Sequence, residues 1–350
     1  MRNENTPAKK IRIEDIAREA GVGLGTVSRA LNNRPGVSRK RRELVTRIMA
    51  EHGYRPNVLA RGLAAGQTRN IEVVFNTSAP KISQDPIVLR FLDGVLPEMT
   101  KRRYMMFFSA LHSEFSRQDV HADVFGKQGH IDGLILVTNR MQPGFLSALK
   151  KAVSVPLVLV GYCADSRDVG CVANDSFGGS YKAVQYLHGL GRRRIGFVGA
   201  NGMLQPVRLR FDGYRAALAD LGLAVRNEFV ALADTPLFDR HSIEAMLSGT
   251  SRPDALLAAT EDFVPEVLGI AARLGLRVPD QLNVASFWDT TETPVTGGFL
   301  PNVIVQWEQI GREAVTMLTG AIEQGRELGQ VLIAPELTWA QSSIKKEKHS

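Results

Sequence analysis

Residues 11–32 read IRIEDIAREAGVGLGTVSRALN, and this stretch decides how the start of the chain folds. Ile13, Ile16 and Ala17 recur at helical spacing, Gly21 interrupts the pattern, and a second short apolar stripe follows it. Two short helices joined by a glycine-containing turn are typical of a helix-turn-helix, whose second helix lies in the major groove of DNA. The sequence therefore predicts an N-terminal segment that reads DNA.

The distribution of charge agrees with that prediction. The chain has 350 residues and a net charge of +7, but residues 1–69 alone contain 15 Lys and Arg against 6 Asp and Glu. All the basic excess therefore lies in the first fifth of the chain. A basic head on a near-neutral remainder indicates a polyanionic partner for the head alone. A solvated basic tail is the alternative, and the helical pattern of the segment makes it the weaker one.

Several other classes of protein are disfavoured. Cys163 and Cys171 are too few for a disulfide framework or a zinc site, and the seven histidines show no metal-ligand spacing, so we expect no metal and no cofactor. The first ten residues lack the apolar core of a signal peptide, and no run of about 18 apolar residues could span a membrane. We therefore expect a cytoplasmic protein without a membrane partner.

The pattern changes along the chain. A third helix is predicted from an N-cap at Ser38, and residues 57–64 could form one more short helix. From residue 71 onward, short apolar runs alternate with amphipathic stretches, which predicts parallel sheets covered by helices, with ligands beyond the carboxyl ends of the strands. Eight such runs fit two open sheets better than one: 71–75, 104–108, 134–137, 157–160, 195–198, 229–232, 255–259 and 283–287.

These residues support a family resemblance. The stretches IEDIAREAGVGLGTVSRALNNRPGVS (13–38) and HGYRPNVLARGL (52–63) closely resemble the head and hinge of the lactose-repressor (LacI/GalR) family of bacterial transcription regulators. Weaker matches follow as far as residue 343, among them HIDGLIL (130–136), RFDGYRAAL (210–218) and IGREAVTML (310–318).

The resemblance implies an α plus α/β architecture. A helix-turn-helix head and a hinge helix would precede two doubly wound parallel-sheet subdomains like those of a type I periplasmic binding protein. The expected bounds are a disordered tail at 1–10, the head at 11–56, hinge and linker at 57–70, the N-subdomain at 71–168 plus 299–326, the C-subdomain at 169–298 plus 327–343, and a tail at 344–350.

The resemblance also assigns DNA contacts. The residues expected to face base edges are Leu24, Gly25 and Arg29, and those expected to bond phosphates are Thr26, Ser28 and Asn32. Arg29 carries most of the expected readout because an arginine donates two hydrogen bonds to guanine O6 and N7, whereas Leu24 offers only apolar contact. A phosphate contact or an exposed helix charge is the alternative role of Arg29.

The hinge carries a different expected contact. By resemblance, Leu63 is wedged into the minor groove at the centre of the operator, with Asn57 and Ala60 beside it, and such a wedge kinks the duplex. Packing of Leu63 against its own domain is the alternative. Relatives often carry Lys or Arg after this leucine, but the chain has Ala64.

An effector cleft is expected between the two subdomains. The residues assigned to it by resemblance are Asp85, Tyr162, Arg210, Asp262, Trp288 and Asp289. An arginine facing an aspartate suits a ligand with neighbouring hydroxyls, because one side chain donates hydrogen bonds and the other accepts them; a structural salt bridge is the alternative. Departures from the family pattern at Ile87, Val88 and Asn302 leave the identity of the effector open.

The expected function is repression of a sugar-uptake or catabolic operon under the control of a small sugar-like effector. We expect a homodimer on double-stranded, pseudo-palindromic operator DNA, because no C-terminal leucine heptad is present, and a location at the nucleoid. The alternatives are an effector-independent repressor and a cytosolic sugar-binding protein without gene control. An enzyme is not expected, because the glycines at 21–25 follow a helix and lack the downstream acidic residue of a dinucleotide-binding loop.

Overall fold

The computed structural model forms two compact units, Met1–Thr68 and Arg69–Ser350. The residues it describes are 11–31, 35–54, 68–76, 85–111, 130–139, 141–200, 204–233, 240–289 and 300–338. Among these residues, no helix combines the length and the apolar character that a membrane crossing requires.

The described part of the first unit contains three helices: α1 (Ile13–Glu19), α2 (Leu24–Leu31) and α3 (Arg39–Glu51). The turn between α1 and α2 passes through Gly21 at φ +60°, a left-handed conformation that glycine adopts without steric cost. Ser38 caps α3, since its side chain accepts a hydrogen bond from the backbone N–H of Arg41 at 3.4 Å. The predicted helix-turn-helix and the predicted cap are thus both present.

A small apolar core holds the three helices together. Ile16 from α1, Val27 from α2, and Val45 and Ile48 from α3 are buried against one another. The buried residues of α2, Val27 and Ala30, lie on one face of the helix, and its opposite face remains exposed.

The second unit contains two six-stranded sheets and seven α-helices in its described part. The strands are β1 (Asn70–Asn76), β2 (Met105–Leu111), β3 (Gly133–Val137), β4 (Leu157–Val160), β5 (Gly170–Asn174), β6 (Ile195–Ala200), β7 (Val230–Ala233), β8 (Ala255–Ala258), β9 (Asn283–Trp288), β10 (Asn302–Ile304), β11 (Gln330–Ile333) and β12 (Glu336–Thr338). The helices are α4 (Pro86–Arg102), α5 (Phe145–Ala152), α6 (Ser176–Gly189), α7 (Gln205–Asp220), α8 (Arg240–Ser248), α9 (Val264–Arg273) and α10 (Trp307–Gln324).

The order of the first sheet is β11-β5-β4-β3-β1-β2, and its pairs are all parallel. The order of the second is β12-β10-β9-β8-β6-β7, and only the β10–β12 pair is antiparallel. Strands buried along their whole length, such as β3, β4 and β8, are expected where helices cover a parallel sheet.

The chain passes between the sheets three times, and this corrects the expected subdomain bounds. Strand β5 pairs with β4 in the first sheet although residues from 169 onward were expected in the C-subdomain. Strand β10 pairs with β9 in the second sheet, and β11 pairs with β5 in the first, again opposite to expectation. The reason is that pairing between segments distant in sequence decides which sheet a strand joins, and a local pattern does not reveal that pairing.

Candidate functional site

The exposed face of α2 carries the residues expected to read bases. Leu24 is 48% exposed, and Gly25 and Arg29 are exposed beside it. The Arg29 Nε donates to the backbone oxygen of Gly25 at 3.1 Å, so the arginine lies along the helix toward its N-terminus. A Cβ at position 25 would lie 3.7 Å from Nη2 of Arg29, which is an ordinary van der Waals contact.

Other residues expected at the DNA lie beside this face or outside the described residues. Thr26 and Ser28 are half-buried on α2. Asn32 and the hinge residues Asn57, Ala60 and Leu63 lie outside the described residues. Their expected contacts therefore remain predictions.

Two adjoining cavities open where the carboxyl ends of both sheets meet. Their volumes are about 370 Å³ and about 110 Å³, and they share the walls formed by Gly161, Pro206, Arg210 and Trp307. Residues at or just beyond the ends of β1, β3, β4 and β5 line them from the first sheet, and residues after β8, β9 and β10 from the second. This is the position at which open α/β sheets bind ligands.

Arg210 lies on α7 and faces both cavities. It is 5% exposed; its Nη1 donates to the backbone oxygen of Ala259, and its guanidinium carbon lies 4.0 Å from the centre of the Phe287 ring. Burial lowers the pKa of Arg210, and the charges of Asp289 and Glu261 act against that shift. Gly213 lets α7 approach α6 closely here, since a Cβ at this position would overlap the backbone oxygen of Phe177.

Asp289 follows β9 and lines the smaller cavity. Its Oδ1 accepts a 2.8 Å hydrogen bond from Nε1 of Trp307, and its backbone N–H donates to Oε2 of Glu261 at 2.7 Å. Burial raises the pKa of Asp289, against the charge of Arg210 and the Trp307 hydrogen bond. Burial, followed by the charge of Asp289, raises the pKa of Glu261 to about 8.

Asp85 also lines the smaller cavity, where it caps α4. Its Oδ1 accepts from the backbone N–H groups of Ile87 and Val88 at 3.0 and 3.4 Å. Of the six residues expected in the cleft, the smaller cavity thus brings together Asp85, Arg210 and Asp289.

The other three expected residues lie outside the lining of both cavities. Trp288 is 4% exposed and packs in the apolar cluster with α8 and α9, so, contrary to expectation, it lines neither cavity. Tyr162 packs against the apolar cluster around Phe145, and Asp262 is exposed. The tryptophan in the cleft is instead Trp307, which the sequence did not single out because it opens a helix rather than ending a strand.

A polar clamp joins the two sides of the cleft near the larger cavity. Gln205, the first residue of α7, accepts from the backbone N–H of Cys163 at 2.7 Å and donates to its oxygen at 2.8 Å. The sulfurs of Cys163 and Cys171 are bonded, with their Cα atoms 5.3 Å apart. The described residues contain no cluster of three or more His, Cys, Asp and Glu that could hold a metal ion.

Two family models match the chain. Residues 12–57 match "Bacterial regulatory proteins, lacI family", and residues 184–343 match "Periplasmic binding protein-like domain". Together the two models cover more than half of the chain.

Curated and solved relatives match nearly its whole length. Catabolite control protein A of Priestia megaterium is 29% identical over 315 residues, which span 88% of this chain and 92% of the relative. A structure described as a complex of the transcriptional regulator CelR with cellobiose is 26% identical, covers 95% of this chain and 99% of its own, and superposes with a TM-score of 0.69. The lac repressor dimer, bound to operator and anti-inducer, is 21% identical over 95% of this chain and 98% of its own; its TM-score of 0.74 shows the shared fold.

Proposed function

Because the chain belongs to the LacI family of bacterial transcription regulators, we propose that it represses a sugar-uptake or catabolic operon and responds to a small sugar-like effector. In this proposal α2 reads operator DNA, and the cleft of the second unit binds the effector. The protein would act on the chromosome, in the cytoplasm and at the nucleoid.

One observation supports effector binding more than any other. A buried arginine and a partly buried aspartate line one cavity at the carboxyl ends of two parallel sheets. Arg210 is a hydrogen-bond donor and Asp289 an acceptor, so neighbouring hydroxyls of one ligand find a partner of each kind. The similarity to the CelR–cellobiose complex adds support for a sugar.

The proposal for DNA binding depends on the head. Arg29 would donate to a guanine, Leu24 and Gly25 would contact neighbouring base edges, and Thr26, Ser28 and Asn32 would bond phosphates, which set position rather than sequence. One such head reads one half-site, so a homodimer would read a pseudo-palindromic operator.

The hinge, proposed to span residues 57–70, would place Leu63 in the minor groove with Asn57 and Ala60 beside it. An apolar side chain inserted there unstacks a base step and bends the duplex, which allows more protein surface to contact DNA.

Coupling between the sites would run through the two sheets of the second unit. A ligand that contacts Asp85 beyond the first sheet together with Arg210 and Asp289 beyond the second favours one separation of the sheets, and the clamp between Gln205 and Cys163 has to follow. Coupling free energies of about 1–3 kcal/mol are usual, which corresponds to a change of about 5- to 150-fold in DNA affinity.

The experiment begins with selection of an operator from a random DNA library with the full-length protein. Affinity for that operator is then measured by fluorescence anisotropy with and without each sugar of a panel. We expect at least one sugar to change the affinity at least fivefold, and Arg210→Met and Asp289→Asn to remove that response while affinity without sugar is kept.

Two results would favour the alternatives. Specific DNA binding that no sugar changes would favour an effector-independent repressor. Sugar binding without selection of any DNA sequence would favour a sugar-binding protein without gene control. Either result would overturn the proposal as stated.

A further inference from the structure

The two cysteines of the chain join neighbouring segments of the first sheet. Cys163 follows β4, Cys171 lies in β5, and the two strands pair in parallel. The Cα atoms of the cysteines are 5.3 Å apart, a separation at which two thiols close to a disulfide without movement of the backbone. The bond spans only 8 residues of sequence, and a cross-link over so short a loop adds less stability than one over a long loop. Stapling the fold is therefore a minor role for this pair.

The two cysteines differ in access. Cys163 is half-buried and lines the larger cavity, whose volume of about 370 Å³ is within the range of pockets for small molecules. Cys171 is 3% exposed within β5 and belongs to the lining of neither cavity. A small thiol or disulfide that enters the larger cavity therefore meets Cys163 first, and Cys171 is placed to react with the sulfur of Cys163.

Cys163 is tied on two sides. Its sulfur is bonded to that of Cys171 in β5, and its backbone N–H and oxygen are both hydrogen-bonded to the side-chain amide of Gln205. Gln205 begins α7, the helix that also carries Arg210. One amide can bond both backbone groups only if they lie at the right place, so the position of Cys163 relative to β5 decides whether the clamp closes. The state of the disulfide therefore acts on the contact between the first sheet and α7.

We propose that Cys163 and Cys171 form a thiol–disulfide exchange site for a low-molecular-weight thiol, and that the disulfide holds the clamp between Cys163 and Gln205 closed. The inference goes beyond effector and DNA binding and uses the proposed function in one respect. A protein that acts on the bacterial chromosome is surrounded by small thiols, and disulfides in such surroundings are usually transient, catalytic or redox-sensing.

The exchange proceeds through a mixed disulfide. In the oxidising direction, the Cys163 thiolate attacks one sulfur of a small-molecule disulfide, whose S–S bond breaks and releases one small thiolate. The Cys171 thiolate then attacks the Cys163 sulfur of the mixed disulfide and expels the second small thiolate. The protons of the two protein thiols pass through solvent to the two small thiolates. Two protein thiols are thus oxidised while one small disulfide is reduced to two thiols, and an excess of the small thiol drives the same steps backward.

The test follows the thiols of the full-length protein in mixtures of reduced and oxidised glutathione. Free thiols are trapped with iodoacetamide and counted by intact mass. We expect oxidised glutathione to convert both thiols of the unmodified protein to the disulfide, and an excess of reduced glutathione to restore them. Cys171→Ala should accumulate a glutathione mixed disulfide at Cys163, whereas the matched variant Cys163→Ala should carry at least tenfold less adduct, because Cys171 is buried.

Hydrogen exchange, read by mass spectrometry after a reducing quench, tests the clamp. In peptides that span residues 161–168, we expect exchange at least fivefold faster in the reduced protein than in the oxidised protein. Gln205→Met keeps both cysteines but removes the amide, so it should still form the disulfide and should exchange fast in both states.

Three outcomes would overturn the inference. Thiols that stay free in oxidised glutathione, or a disulfide that an excess of reduced glutathione leaves intact, would refute the exchange site. Equal amounts of adduct on Cys171 and on Cys163 in the single variants would refute the roles assigned to the two cysteines. Equal hydrogen exchange in the oxidised and reduced protein would refute control of the clamp. None of these measurements uses DNA or a sugar, so their failure would leave the proposed function standing.

Discussion

Replacing Glu261 by glutamine should flatten the dependence of stability on pH. Burial and the charge of Asp289 raise the pKa of Glu261 from its ordinary value of 4.5 to about 8. Between these two values the folded chain holds a proton that the unfolded chain releases. The stability that this proton confers is fully present below about pH 4.5 and is lost as the pH rises through about 8.

The magnitude follows from the two pKa values. From about pH 5 to pH 8 the folded state carries close to one extra proton at this carboxyl, and one proton changes the free energy of unfolding by about 1.4 kcal/mol per pH unit. The free energy of unfolding should therefore fall by about 3 kcal/mol over this range. Glutamine keeps the shape and can still accept from the Asp289 N–H, but it has no proton to lose.

Urea unfolding followed by tryptophan fluorescence measures this effect. Trp288 and Trp307 lie in the second unit, so a change in tryptophan fluorescence reports its unfolding. Asp262→Asn is the matched control, since it removes an exposed neighbouring carboxylate and should keep the slope. An equal pH dependence in the Glu261→Gln variant and the unmodified protein would refute the reasoning.

Three other predictions test separate parts of the molecule. Gly94→Ala should lower the free energy of unfolding of the second unit by about 3 kcal/mol in urea, because a Cβ there overlaps a backbone oxygen of α10. Gly269→Ala is the control and should cost nothing, since a Cβ at that position meets only the tip of a side chain 3.9 Å away. Equal effects of the two variants would contradict the steric account. Arg29→Met should weaken binding to the selected operator about 10- to 100-fold, measured by fluorescence anisotropy, and change binding to random DNA much less. Equal losses of affinity for the operator and for random DNA would make the arginine a phosphate contact. Trp307→Phe removes the indole N–H that donates to Asp289 and should lower the free energy of unfolding of the second unit by about 1–2 kcal/mol. An unchanged urea midpoint would show that this hydrogen bond contributes nothing to stability.

Much of the fold could be predicted because its signals are local. The eight apolar runs all correspond to strands, and the break at Gly21 and the cap at Ser38 are where the sequence indicates. The strands that were missed are β5 and three short strands late in the chain, β10, β11 and β12.

The cleft was only partly predictable, because it depends on which side chains distant segments bring together. Arg210 and Asp289 were found by resemblance and line one cavity. Trp288 and Trp307 could not be told apart by residue type, since only the sheet pairing decides which of them faces the cleft. The raised pKa of Glu261 likewise comes from Asp289, 28 residues away in sequence, which no spacing rule connects to it.

The three passages between the sheets have a consequence for synthesis on the ribosome. The first sheet needs β11 at its edge, so it cannot be complete until residue 333 has left the exit tunnel. The second sheet needs β12, which follows only two residues later. Neither half of the second unit can therefore finish folding well ahead of the other, and the nascent chain carries both sheets without one edge strand until β11 and β12 have left the tunnel. A premature stop anywhere before residue 330 would leave both halves incomplete, so a truncated product would be a substrate for proteases rather than a repressor with one working half.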